Sequence, residues 1–126
     1  MAKINIKYVF LIQSIIAFLF GLGFIFIPNT ILNSMGLDSP ADIGEPIRFY
    51  GAMTFGVAIV LFAVRNEPHS SLRQAIILMM ICSHIPQLIF HLIFHPLDNF
   101  MVWSIIGLNV TFISLYTYFF VKNRGK

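Results

Sequence analysis

Four long apolar stretches constrain this chain more than any other feature of its sequence. A helix needs roughly 20 mostly apolar residues to cross the hydrocarbon core of a bilayer. The runs at about 8–27, 46–64, 74–94 and 100–121 meet that need. Because 58% of the residues are hydrophobic and 10% are charged, one small water-soluble core could not bury them. We therefore predict an all-α, integral membrane four-helix bundle that forms a single transmembrane domain over residues 1–126.

The distribution of lysine and arginine predicts the direction of the spans, because these residues concentrate on the cytoplasmic side of membrane proteins. Seven of the eight lie on one side, and Arg48 alone lies on the other. The seven are Lys3, Lys7, Arg65, Arg73, Lys122, Arg124 and Lys126. We expect both termini in the cytoplasm and the 28–46 loop outside. The first run is too long for a signal-peptide core, so we expect it to stay as a membrane anchor. The small size and the absence of targeting signals favour a multi-pass protein of the bacterial inner membrane.

The segment around the first outer loop predicts two further features. The apolar run between Arg48 and Arg65 is short for a span, so the second helix is expected to begin near Pro46. That start draws Arg48 into the outer boundary of the membrane. Residues 29–37 have an apolar pattern with a glycine stop at Gly36, which predicts a short interfacial helix. A plain loop is the alternative.

Small or polar residues lie on one face of three spans, where helices in lipid pack closely. The first span offers Ser14, Ala17 and Gly21, the second Gly51, Thr54 and Ala58, and the fourth Gly107, Thr111 and Ser114. The remaining surface is rich in phenylalanine and aliphatic residues. This pattern predicts packing through the small faces, with lipid around the rest.

Polar residues within the spans are the candidates for a functional site, because such residues are costly in lipid. The third span carries three histidines and a glutamine on one face, at the helical spacing of about 100° per residue. We expect that face to look into the bundle and to form a pocket in the outer half, between the second, third and fourth spans. The predicted ligand-binding residues are Arg48, His84, Gln87, His91, His95, Asn109 and Trp103.

Three interpretations of the histidine face remain open. The first is hydrogen bonding to polar groups of other spans or to the backbone. The second is a ligand pocket, in which His91 and His95 act with Arg48. The third is metal or haem, since His91 and His95 are four residues apart and can share an ion, although no third ligand is evident. A haem held between two spans would need histidines on both, and the membrane histidines all lie on one.

These features favour a non-enzymatic membrane protein, with no catalytic residue assigned. It would be an accessory subunit, or a binder of a lipid or quinone-like ligand. The alternatives are a subunit of an oligomeric small transporter or channel, and a membrane redox or metal enzyme that uses the histidines. No cofactor is expected, with quinone, haem and metal as the candidates. The expected partners are membrane lipids and a larger membrane complex or a homo-oligomer, and no nucleic acid.

Several short motifs in the first half of the chain carry a resemblance. They are GLGFIFIP at 21–28, MGL at 35–37 and RFYGA at 48–52, followed by Gly56 and Arg65. In these the chain resembles small four-helix bacterial membrane proteins of unknown function that are broadly similar to DoxX-like proteins. DoxX-like proteins are linked to quinol-oxidising or redox membrane systems, so the resemblance implies a role of that kind. It implies nothing for the histidines of the third span.

Overall fold

A computed structural model describes residues 4–37 and 44–124, and within them the chain is helical, with no strand. The helices are α1 (Ile6–Phe26), α2 (Pro28–Ser34), α3 (Gly44–Val64), α4 (Ser71–Phe94) and α5 (Phe100–Asn123). Among these described helices, α1, α3 from Pro46, α4 and α5 are long and apolar enough to cross a membrane. The predicted all-α class and the four candidate spans are confirmed, and they are typical of a multi-pass membrane protein.

Some predicted features lie outside the described residues, and one helix begins earlier than predicted. Residues 38–43 of the predicted outer loop lie outside the described residues, as do Lys3 and Lys126 of the charge pattern. Helix α4 begins at Ser71 rather than Gln74, because the Ser70 side chain caps it by accepting a hydrogen bond from the Arg73 amide at 3.2 Å.

The chain forms two compact units, Met1–Asn66 and Glu67–Lys126. In the first unit α1 and α3 pack as an antiparallel pair. The contact between them runs through Gly21 and Gly51. A Cβ atom added to Gly51 would lie 2.8 Å from the Phe24 Cβ and 2.9 Å from the Gly21 carbonyl oxygen. The two backbones therefore approach closely, as small residues allow in membrane helices.

One hydrogen bond also joins α1 and α3, further along the two helices from the glycines. The Ser14 hydroxyl donates to the Ala58 carbonyl oxygen at 2.8 Å, and both residues are buried. Aromatic rings flank the glycines, with Phe18 and Phe55 centroids 5.3 Å apart. The small faces predicted for the first two spans thus lie in the α1–α3 contact.

The short helix predicted after the first span is present as α2. Pro28 occupies its first turn, where a missing amide hydrogen does no harm. Gly36 ends it with φ of 71°, a conformation that side chains with a Cβ disfavour. The Leu37 amide donates to the Leu32 carbonyl and the Gly36 amide to the Asn33 carbonyl, both at 3.0 Å. These paired bonds form a Schellman motif, which satisfies the carbonyls at the helix end.

In the second unit α4 and α5 pack as an antiparallel pair joined by residues 95–99. Helix α4 continues through Pro86 and ends before His95, whose extended backbone is the conformation that Pro96 favours in the residue before it. Asn99 then caps α5 by accepting from the Met101 amide at 2.8 Å. The connection is short because Pro96, which favours the end of α4, is followed within three residues by Asn99, which caps α5.

The face of α5 that packs in the second unit is not the one with small residues. Its buried residues are Val102, Ile106, Asn109, Phe112, Tyr116 and Phe119. Gly107, Thr111 and Ser114 are exposed, and a Cβ on Gly107 would meet nothing within 4 Å. The predicted small face of the fourth span therefore lies outside the α4–α5 contact.

The glycine contact in the first unit gives a stability prediction. Gly51→Ala would force α1 and α3 apart, whereas Gly56→Ala on the same helix would enter open space. The helix-forming gain from alanine is common to both changes, so their difference isolates the clash. We expect Gly51→Ala to lower the free energy of unfolding by about 1–3 kcal/mol relative to Gly56→Ala. Denaturant unfolding of the purified protein in detergent, followed by circular dichroism, measures this difference. Equal stability of the two variants would contradict the close approach.

Candidate functional site

The seven predicted site residues fall in both units. Arg48 belongs to the first unit, on α3, and its side chain is exposed. The other six belong to the second unit, and they are His84, Gln87, His91, His95, Trp103 and Asn109. Within the second unit they separate into a buried group near the middle of the helices and a group at the end where α4 stops.

His84 in the buried group is fully engaged with its own surroundings. Its Nδ1 lies 2.7 Å from the Met80 carbonyl oxygen, one turn earlier on α4. Because a carbonyl only accepts, His84 donates through Nδ1. Its ring lies against Phe112 and Tyr116 of α5, with centroids 5.9 and 6.3 Å away. His84 therefore matches the first interpretation, hydrogen bonding to the backbone, and it helps to pack α4 on α5.

Asn109 also bonds within its own helix. Its Nδ2 donates to the Ile105 carbonyl oxygen at 3.0 Å, and the residue is buried. Its Oδ1 is buried and has no hydrogen-bond partner among the described residues. Gln87, on α4, is half-buried. Neither residue forms a hydrogen bond with His84 among those that the described residues show.

His91 and His95, which we call the histidine pair, lie at the end of α4. Residues four apart on a helix share a face, and their ring centroids are 4.5 Å apart. The Nδ1 atoms of both rings are buried and have no hydrogen-bond partner among the described residues. Buried polar atoms are nearly always partnered, and the histidine pair places two unpartnered ones on neighbouring rings.

Aromatic side chains lie beside the histidine pair. The Phe90 ring meets His95 edge to face at 5.7 Å and lies 4.8 Å from Phe94. The connecting segment is also held in place, because the Trp103 indole nitrogen donates to the Leu97 carbonyl oxygen at 2.5 Å. Trp103 itself is 52% exposed. The indole N–H of Trp103 is thus used in holding this turn, and its predicted place in a ligand pocket stays a prediction.

The described residues offer the histidine pair no further metal ligands. No group of three or more histidine, cysteine, aspartate or glutamate side chains among them is arranged to hold a metal ion. Two imidazoles alone are fewer than the three or four protein ligands of zinc sites. Neutral imidazoles instead offer one N–H donor and one nitrogen acceptor each, which suits hydrogen bonding to an uncharged polar ligand.

A second polar cluster lies at the opposite end of the second unit, and none of its residues was predicted as a site residue from the sequence. The His69 Nε2 donates to the Asn123 carbonyl oxygen at 3.1 Å and lies 3.2 Å from the Gln74 side-chain amide. The signal that could have found it is the short α4–α5 connection. An antiparallel pair with so short a turn must bring the start of α4 to the end of α5.

Comparison with known proteins gave no match: no family model, no curated protein and no solved structure is similar to this chain. The DoxX-like resemblance therefore stays a prediction.

Burial lowers the pKa of His95 below its ordinary value, and the nearby Phe90 backbone only partly offsets this. The neutral imidazole is thus favoured in the folded state. Below about pH 6.5 the unfolded chain takes up the proton first. The contribution of His95 to stability is therefore present above that pH and is lost as the pH falls through the folded pKa. We expect an NMR titration of the His95 ring to show a midpoint below 6.5, and a midpoint above it would contradict the burial.

Proposed function

We propose that this chain is a small multi-pass protein of the bacterial inner membrane that binds a lipid or quinone-like molecule and acts as a non-enzymatic accessory subunit. Both termini would lie in the cytoplasm, as the lysine and arginine bias predicts. The proposed binding residues are His91 and His95. The observation that carries the proposal is the pair of adjacent imidazoles whose buried Nδ1 atoms have no partner among the described residues.

The chemistry of the histidine pair suits such a ligand. A quinone presents carbonyl oxygens that accept hydrogen bonds, and a quinol presents hydroxyls that also donate. A neutral imidazole has one donor and one acceptor, so it pairs with either form. Ligand sites are mostly apolar with a few polar groups that orient the ligand, and Phe90 and Phe94 supply aromatic surface beside the pair. The DoxX-like resemblance points to the same class of molecule.

The remaining predicted residues divide by role. His84 and Asn109 bond within their own helices, and they support the packing of α4 on α5. Arg48 stays a candidate contact for an anionic or carbonyl group, on the basis of its place at the start of a short apolar span. It lies in the first unit, so its contact stays a sequence-based prediction separate from the histidine pair.

Loss of ligand without loss of folding is the expected result. His91→Ala removes one hydrogen-bonding ring, and the loss of one such bond lowers ligand retention about fivefold. His95→Ala should lower retention too, while the unfolding temperature of each variant stays near that of the parent chain. Cys82→Ala is the control, since it trims an exposed side chain on α4 that belongs to neither the histidine pair nor the far end of the helix.

Native mass spectrometry of the purified chain, with organic extraction of what co-purifies, measures retention. If His91→Ala and His95→Ala both keep the full ligand content, the binding proposal is wrong. If all variants lose ligand together with stability, the histidines serve packing alone.

The alternative function is a subunit of an oligomeric transporter or channel. It is favoured by Gly107, Thr111 and Ser114, which form an exposed small-residue face on α5. Such faces let membrane helices approach each other closely.

Crosslinking in native membranes tests this alternative. It predicts crosslinked species of two or more copies that Gly107→Leu weakens, since the added side chain would separate the helices. A chain that stays monomeric in the membrane would exclude it.

A further inference from the structure

An open cleft lies in the second unit, where α4 begins and α5 ends. Its volume is about 430 Å³, within the range of about 300–1,000 Å³ that small-molecule sites occupy. Six of the seven residues that line it carry polar or charged side chains, and the seventh is Phe120. The polar residues that matter here are His69, Ser71, Gln74, Asn123 and Arg124. This α4–α5 cleft shares no residue with the histidine pair, so the inference does not depend on the proposed function.

The cleft lies at the ends of two candidate spans, and this indicates its depth in a membrane. Ser71 is the first residue of one candidate span and Asn123 is the last residue of the next. A cleft between two span ends lies where the hydrocarbon core gives way to the headgroups. Aromatic and basic residues are common at that level, and Phe120 and Arg124 meet there with the guanidinium carbon 5.3 Å from the ring centroid.

The charge around the cleft is mostly positive. Arg73, Lys122 and Arg124 lie at this end of the second unit, whereas Asp98 lies in the turn at the other end. The acidic residue nearby is Glu67, and its carboxylate accepts from the Ser70 hydroxyl at 3.3 Å. Arg73 is engaged with the Glu67 main-chain carbonyl at 3.1 Å. Lys122 donates to the Tyr118 hydroxyl at 3.2 Å and does not line the cleft.

Arg124 is therefore the cation that the cleft itself offers. Within the described residues its guanidinium contacts the Phe120 ring, and no hydrogen bond to another described residue occupies its N–H groups. A guanidinium presents its donors in a fork that matches two oxygens of a phosphate. Ser71 adds a hydroxyl at the first position of α4, and Asn123 adds a side-chain amide.

We infer that the α4–α5 cleft binds the phosphate headgroup of an anionic phospholipid, with Arg124 as its main charged contact. A single arginine in an open cleft would hold free phosphate only weakly. A phospholipid is already held at this depth by its acyl chains, so the cleft needs to supply only the headgroup contacts. Basic pockets between span ends recognise lipid headgroups in this way.

The test uses the purified full chain in detergent, titrated with phosphatidylglycerol and followed by native mass spectrometry. Phosphatidylcholine and inorganic phosphate are the comparison ligands. We expect phosphatidylglycerol to bind in preference to both. Arg124→Gln should weaken that binding about five- to tenfold, which is the effect expected of one basic residue with a direct phosphate contact.

Two further variants make the result specific to the cleft. Lys122→Gln removes the same charge from the same turn of α5 but outside the cleft, and its effect should be several-fold smaller. Ser71→Glu places a carboxylate in the cleft and should weaken binding as strongly as Arg124→Gln. An acidic residue in the first turn favours the helix, so Ser71→Glu should not lower the unfolding temperature.

Three outcomes would overturn the inference. Equal losses in Arg124→Gln and Lys122→Gln would mean that the basic surface attracts lipid without a site. Unchanged phosphatidylglycerol binding in both Arg124→Gln and Ser71→Glu would mean that the lipid does not bind in the cleft. If inorganic phosphate binds as tightly as the lipid, with the same dependence on Arg124, the ligand of the cleft is a free anion and not a lipid headgroup.

Discussion

Every backbone polar group of a membrane-spanning segment must find its partner within the protein, because lipid offers none. The rest of this structure depends on that constraint. It explains why the described chain is helical, and side chains cap the starts of three of its helices. Asn5, Ser70 and Asn99 each accept a hydrogen bond from an amide in the first turn of α1, α4 and α5. The end of α2 is closed by its Schellman motif.

The same constraint governs the polar side chains. The hydroxyls of Thr54, Thr111 and Ser114 each donate to the carbonyl oxygen one turn earlier in their own helix. His84 and Asn109 do the same with a ring and an amide nitrogen. Against that background the histidine pair brings together two buried Nδ1 atoms that have no partner among the described residues, as the Asn109 Oδ1 also has none. The ligand proposed above would supply partners to the two histidines.

Hydropathy and stop signals made most of the fold predictable from the sequence. The four spans follow from apolar length, α2 follows from Pro28 and Gly36, and the α1–α3 contact follows from small residues at helical spacing. The packing face of α5 could not be predicted in the same way. In lipid, large apolar residues such as Ile106 and small ones such as Gly107 both make acceptable helix contacts. Hydropathy therefore does not predict which of these two faces of α5 packs against α4.

The candidate site was predictable only in part, for a related reason. Helical spacing correctly placed His91 and His95 on one face. It could not show that His84 bonds to Met80, because that depends on the side-chain rotamer rather than on the position in the helix. The contact of His69 with Asn123 depends on how two distant segments pair, and spacing within one helix carries no information about it.

The short connection at 95–99 has a consequence for how the chain enters a membrane. Helix α4 carries a buried histidine and α5 a buried asparagine, and either would be costly in lipid on its own. With so few residues between them, the two helices leave the ribosome almost together. They can partition into the bilayer as one hairpin, in which each helix shields the polar group of the other from the start.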